Sequence, residues 1–110
     1  MKILIVGLGS IGQRHAGCLQ KISGVDIAVL RTKKGTLKET SGFTEFYNLE
    51  DALAYRPDGV IISNPTSLHV ETALPFLQSG IKTLIEKPVA DTAADAEKLT
   101  TYSAHLRVAY

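Results

Sequence analysis

The sequence predicts a doubly wound α/β domain, a parallel sheet carrying helices on both faces. Three observations predict it. Short apolar runs alternate with segments of helical period, a glycine-rich turn joins the first run to the first helix, and the composition is that of a globular chain. At 110 residues, 45% apolar and 21% charged, the chain is one domain able to bury a core. Twelve basic against eleven acidic residues leave a net charge of +1, so nothing global points to nucleic acid; only the local run Arg31, Lys33, Lys34, Lys38 is basic. Cys18 is the sole cysteine, which excludes an intrachain disulfide and the ligand pairs of a structural zinc site; no metal is expected, and the cytoplasm is the simplest address. His-Ala-Gly-Cys at 15 to 18 echoes a lipoprotein processing site, but Gln13, Arg14 and His15 interrupt the apolar segment that export requires. No apolar run approaches the roughly 18 residues of a membrane-spanning helix.

Each element follows from its pattern. Lys2 to Val6 reads as a strand buried on both faces. From Ser10 the period changes: Ile11, His15, Cys18, Leu19 and Ile22 fall on one helical face, and Ser23-Gly24 ends the helix. His15, on that inner face, is read as a packed core histidine. Val25 to Leu30 is a second strand and Thr44 to Phe46 a weak third, with a loop over 31 to 43 between them. Asn48 is placed to cap a short helix over Leu49 to Tyr55. Gly59 to Ser63 is a fourth strand. After Asn64-Pro65-Thr66 a helix places Val70, Ala73, Leu74 and Leu77 inward, and Pro75 predicts a kink or a tightened last turn ahead of Ser79-Gly80. Lys82 to Ile85 is a fifth strand, with Glu86-Lys87-Pro88 just past its carboxyl end. Thr92 and Asp95 form a capping box for a helix running to about His105, and Arg107 to Tyr110 begins a sixth strand.

Gly7-Leu8-Gly9-Ser10-Ile11-Gly12 carries the most chemistry. Gly7 permits the tight turn, Gly9 lets the main chain approach a pyrophosphate, and Gly12 allows the helix to pack closely on the strand, with phosphate at the positive end of the helix dipole. The spacing alone is weak evidence; its position after a strand and at the opening of a helix makes it a dinucleotide fingerprint. An acid about 20 residues further on would hold the ribose of NAD. Asp26 is near that count but sits at the wrong end of the second strand. After Leu30 the chain reads Arg31-Thr32-Lys33-Lys34, which offers cations and a hydroxyl to a 2′-phosphate and no negative charge to repel it. NADP is the favoured cofactor. The alternative is NAD, held by the main chain and Thr32 beside a solvated basic loop.

Three stretches, GLGSIGQRH at 7 to 15, ISNPTSLHVETA at 62 to 73 and GIKTLIEKPVA at 80 to 90, resemble the glucose-fructose oxidoreductase and inositol dehydrogenase (Gfo/Idh/MocA) family over nearly the whole chain. The Glu-Lys-Pro tripeptide is far more specific than the glycine motif. The resemblance implies that Ser63, Asn64, Pro65 and Thr66 line the nicotinamide half of an NAD(P) cofactor. It implies too that His69 stands near the active site at the start of the next helix, and that Glu86 and Lys87 border the nicotinamide. Lys87 lies beyond the carboxyl end of a central strand, the edge where open α/β sheets bind ligands, and is the candidate proton-handling residue. Ser10, Ile11, Arg31, Thr32 and Lys33 complete the candidate cofactor contacts. Members of the family carry a second, mainly β-sheet domain that shapes a sugar pocket and often pairs subunits. Residues 1 to 110 are therefore expected to be the dinucleotide-binding domain of a longer, truncated chain whose C-terminal substrate domain is absent. Two functions follow: the cofactor domain of an oxidoreductase acting on a sugar, polyol or nucleotide-sugar, inactive alone, or a non-catalytic dinucleotide-binding module such as a redox sensor. Lys87 favours the first.

Overall fold

Six strands, all parallel, lie in the order β3-β2-β1-β4-β5-β6: β1 (Lys2–Val6), β2 (Asp26–Leu30), β3 (Thr44–Phe46), β4 (Gly59–Ile62), β5 (Lys82–Ile85) and β6 (Leu106–Val108). Among the described residues four α-helices lie between them: α1 (Ser10–Gln20), α2 (Leu49–Ala54), α3 (His69–Gln78) and α4 (Ala93–Glu97). The computed structural model describes residues 1–7, 10–31, 43–87, 92–102 and 104–108. Chain order reverses at β1, which has β2 on one side and β4 on the other. That reversal is the switch point at which open α/β sheets form their crevice.

Alternation along the strands sends side chains to two cores. On one face Leu4, Val6, Val60, Ile62 and Ile85 meet Ala52 of α2 and Val70, Ala73, Phe76 and Leu77 of α3; on the other Ile5 and Val29 meet Ala16 of α1. Phe76 is fully buried and is the largest side chain of the core, though the inward face expected for α3 omits it. Burying such a side chain contributes about 1.5–3 kcal/mol.

The expected face of α1 packs only in part: Leu19 lies against the cluster of Ile5, Ala16 and Val29. Cys18 is exposed and Ile22 is 54% exposed, whereas Gly12 and Ala16 are buried. The reason is proximity: a Cβ at Gly12 would overlap the Gly7 carbonyl oxygen and stand 2.9 Å from Ser63 Oγ, so only the smallest residues fit between α1 and the sheet. His15 is correspondingly not a packed core histidine but half-exposed at the helix flank.

Local chemistry sets the other helix ends. Asn48 accepts from the Asp51 amide at 2.8 Å and Thr92 from the Asp95 amide at 3.1 Å, the expected caps. Pro75 brings the tightened ending: the Ser79 and Gly80 amides reach back three residues to Phe76 and Leu77, and the Ile81 amide bonds Phe76 O at 3.0 Å, with Gly80 at φ +76. Helix α4 stops well short of His105. Thr100 turns its hydroxyl back onto Glu97 O at 2.8 Å, and the Lys98 and Leu99 amides already bond three residues back, so the segment passes into a 3₁₀ turn at Thr100–Tyr102. Strand β6 starts one residue earlier than expected, at Leu106; Ala109 and Tyr110 lie outside the described residues.

The amino edge of the sheet is ionic. Lys2 Nζ donates to Tyr55 O at 2.7 Å and stands 4.8 Å from the centre of its ring, while the Lys2 amide donates to Asp58 Oδ2 at 2.8 Å. Burial, then the charges of Asp26 and Asp58, push the Tyr55 phenol above its ordinary value of 10.0. The folded state therefore holds that proton more tightly than the unfolded chain. Its contribution is complete below the ordinary value and is lost as pH rises through the folded one.

Two predictions follow from this packing. Both Gly12 and Gly17 lie in α1, yet a Cβ at Gly17 meets nothing within 4 Å. Gly17→Ala is expected to stabilise the fold by about 0.5–1 kcal/mol and Gly12→Ala to destabilise it by about 1–3 kcal/mol, read from urea midpoints; equal shifts would contradict the close approach of α1. At the amino edge, unfolding free energies of the chain and of Tyr55→Phe are expected to diverge above about pH 10, the variant losing less stability with rising pH. Parallel curves would remove Tyr55 from the alkaline transition.

Candidate dinucleotide site

The candidate residues collect along the carboxyl edge of the sheet, and a row of main-chain bonds fixes them there. In parallel pairing each strand donates to its neighbour in slanted steps. Here the step continues one residue past each strand: Arg31 N bonds Phe46 O at 3.0 Å, Gly7 N bonds Leu30 O at 2.9 Å, Ser63 N bonds Val6 O at 2.8 Å and Glu86 N bonds Ile62 O at 3.1 Å. Four residues singled out in the sequence thus stand side by side, each anchored to the last residue of the adjacent strand.

Gly7, at φ +84, turns the chain out of β1, and a Cβ there would stand 2.8 Å from both N and Cα of Asn64. Glycine is required twice over, by the backbone angle and by the loop after β4. Ser10 and Ile11 open α1 directly behind this turn, and the first turn of the helix carries no acidic residue. Gly9, Thr32 and Lys33, like Lys34, Lys38 and Pro88, lie outside the described residues.

After β4 the hydroxyl of Ser63 is within reach of two carbonyls, Val6 O at 3.0 Å and Gly7 O at 2.9 Å. Ser63 staples β4 to the glycine turn. Pro65 is exposed and Thr66 half-buried, in a 3₁₀ turn, Thr66–Leu68, that leads into α3. His69 is 2% exposed, and its Nε2–H donates to Asn64 O at 2.7 Å, closing the loop from within. Asn64 Nδ2 donates to Thr72 Oγ1 at 3.0 Å, but its buried Oδ1 has no hydrogen-bond partner. Gly7 and Gly12 let the glycine turn, the loop after β4 and α1 pack directly on one another, and the unpartnered Asn64 Oδ1 beside them is an acceptor that a polar donor would satisfy.

The ends of the row carry charge. Arg31 is not met by open solvent alone: its side chain is 10% exposed, and its guanidinium stands 3.5 Å from Glu45 Oε1. The run Arg31 to Lys34 itself carries no acid; the negative charge beside Arg31 comes from Glu45 of β3, whose register sets it opposite Val29. At the other end His15 Nε2 and Glu86 Oε1 form a hydrogen-bonded pair between α1 and the end of β5, and Lys87, the next residue, is exposed. Sequence reading missed Glu45 and the His15–Glu86 contact. Each joins segments far apart in the chain, and no local spacing signals it; only the strand order could have brought them together.

Comparison with known proteins accords with this architecture. Residues 1–110 match the family model described as the oxidoreductase family, NAD-binding Rossmann fold (Gfo/Idh/MocA). The 4-carboxy-2-hydroxymuconate-6-semialdehyde dehydrogenase of Sphingobium sp. is 32% identical over 105 residues, covering 88% of this chain and 33% of that protein. The inositol 2-dehydrogenase of Leifsonia xyli subsp. xyli is 32% identical over 102 residues, 84% of this chain and 30% of that one. A crystal structure of a Gfo/Idh/MocA family oxidoreductase from Vibrio cholerae superposes with a TM-score of 0.86 at 28% identity, over 100% of this chain and 38% of its own. The chain thus spans about a third of the length of these relatives. With the family match spanning residues 1–110 and the strand order of the described residues in agreement, the chain belongs to the Gfo/Idh/MocA oxidoreductase family and forms its NAD(P)-binding Rossmann domain.

Proposed function

We propose that these residues hold the nicotinamide dinucleotide of a dehydrogenase acting on a sugar or polyol, and that NADP is its preferred form. The observation that carries this reading is the clearance made by Gly12, which sets the opening of α1, free of acidic residues, against the turn after β1 at the switch point of the sheet. There the main-chain amides and the helix dipole favour a pyrophosphate, with Gly9, Ser10 and Ile11 in contact with it. Ser63, Asn64, Pro65 and Thr66 line the nicotinamide half, His69 supporting their loop from behind. Arg31, with Thr32 and Lys33, takes the 2′-phosphate, which competes with Glu45 for the guanidinium.

The bound dinucleotide supplies the hydride acceptor or donor. Lys87 would hydrogen-bond the substrate hydroxyl beyond the end of β5, stabilise the alkoxide as hydride leaves and pass on its proton. The pocket that selects the substrate belongs to a further domain of the whole enzyme. A polyol or sugar is supported by the resemblance and by the name of the inositol 2-dehydrogenase relative.

Calorimetric titration of the chain with NADP and NAD tests the binding reading. Gly9→Val, which sets a branched side chain where the pyrophosphate must approach, is expected to abolish binding of both. Arg31→Ala is expected to weaken NADP about tenfold and leave NAD nearly unchanged, the scale of one charge-assisted contact. Equal weakening of both nucleotides would remove Arg31 from the 2′ position. In the whole enzyme, Lys87→Met is expected to lower the hydride-transfer rate by about a hundredfold or more with nucleotide affinity unchanged. An unimpaired variant measured by single-turnover absorbance would leave Lys87 a surface lysine, and a chain that binds dinucleotide without any turnover in the whole protein would favour a sensor.

A further inference from the structure

Among the ion pairs of the described residues, His15–Glu86 alone joins the helix behind the glycine turn to the strand end that precedes Lys87. The partners are 71 residues apart and similarly half-buried, at 25% and 22% side-chain exposure. Glu86 is gripped at both ends: its amide donates to Ile62 O at 3.1 Å, and its carboxylate accepts from His15 Nε2–H. Helix α1 is itself seated by the contact of Gly12 with Gly7 and Ser63. The last anchored residue before Lys87 therefore takes its main-chain position from β4 and its side-chain orientation from α1.

We propose that His15 is a positioning residue: through the Glu86 carboxylate it fixes the peptide between residues 86 and 87, and so links the seat of the pyrophosphate to the place of Lys87 beside the nicotinamide. The assignment rests on the dinucleotide reading above. Thr66 and Asn64 border the same crevice from β4, but neither is hydrogen-bonded to His15 or Glu86 among the described contacts, so the orientation of Glu86 depends on α1.

Two measurements on the 110-residue chain test it. The first titrates NAD and ADP-ribose, which shares the adenosine diphosphate but lacks the nicotinamide. His15→Leu frees the 86–87 main chain to shift against the nicotinamide, an effect separate from the Lys87 side chain, and is expected to weaken NAD about five- to tenfold while ADP-ribose changes less than about twofold; His15→Gln, which keeps a donor at similar reach, retains NAD affinity. Glu86→Leu should match His15→Leu, and the double variant should be no weaker than either. Equal loss for both ligands, or none for NAD, overturns the proposal. The second measurement needs no nucleotide. Amide hydrogen exchange at Glu86 and Lys87 is expected to rise about tenfold in His15→Leu, with Ile5 and Ile61 unchanged. Unaltered exchange at 86 and 87, or a uniform rise through the sheet, overturns it. If the unsubstituted chain binds neither ligand, the dinucleotide reading fails, and the exchange result still decides whether His15 holds the 86–87 peptide.

Discussion

The structure depends on the row of main-chain bonds that carries the parallel ladder one residue beyond each strand. A side chain on a free loop would lose its position to conformational entropy. Arg31, Gly7, Ser63 and Glu86 each spend their amide on the neighbouring strand's last carbonyl, and so inherit the rigidity of the sheet. Everything polar at this edge is built outward from that row. The Ser63 hydroxyl reaches back to the glycine turn, His69 holds Asn64 from below, and Glu86 reaches across to α1.

The second constraint is distance. Helix α1 can approach β1 only because residue 12 has no side chain and residue 16 has a methyl group. A bulkier pair would hold the helix away from the sheet and move its first turn off the crevice. Among the expected face of the helix, Leu19 packs inward while Cys18 stays exposed, and Ile22 lies beyond the helix end at Gln20.

Much of this could be read in the sequence because it is local. Strands β1 and β5 fall where their apolar runs do, β3 falls at the expected Thr44–Phe46, and the Asn48 and Thr92 caps need only their third neighbours. The remainder is long-range or competitive. Phe76 lies on the buried face of α3 three residues after Ala73, and α4 gives way to a 3₁₀ turn where the Thr100 hydroxyl bonds Glu97 O. His15 finds Glu86, and Arg31 finds Glu45, only after the strands have been ordered 3-2-1-4-5-6.

The Arg31–Glu45 pair makes the end of β2 an exchange rather than a vacancy. An anion that reaches the guanidinium trades places with a carboxylate already there, so the gain is a difference between two ion pairs of comparable kind and smaller than either alone. The charge at that end of the sheet is then set from two strands at once. The counterweight is Glu45, on a three-residue edge strand, so a substitution at residue 45 changes the charge around the Arg31 guanidinium while leaving residue 31 itself as it is.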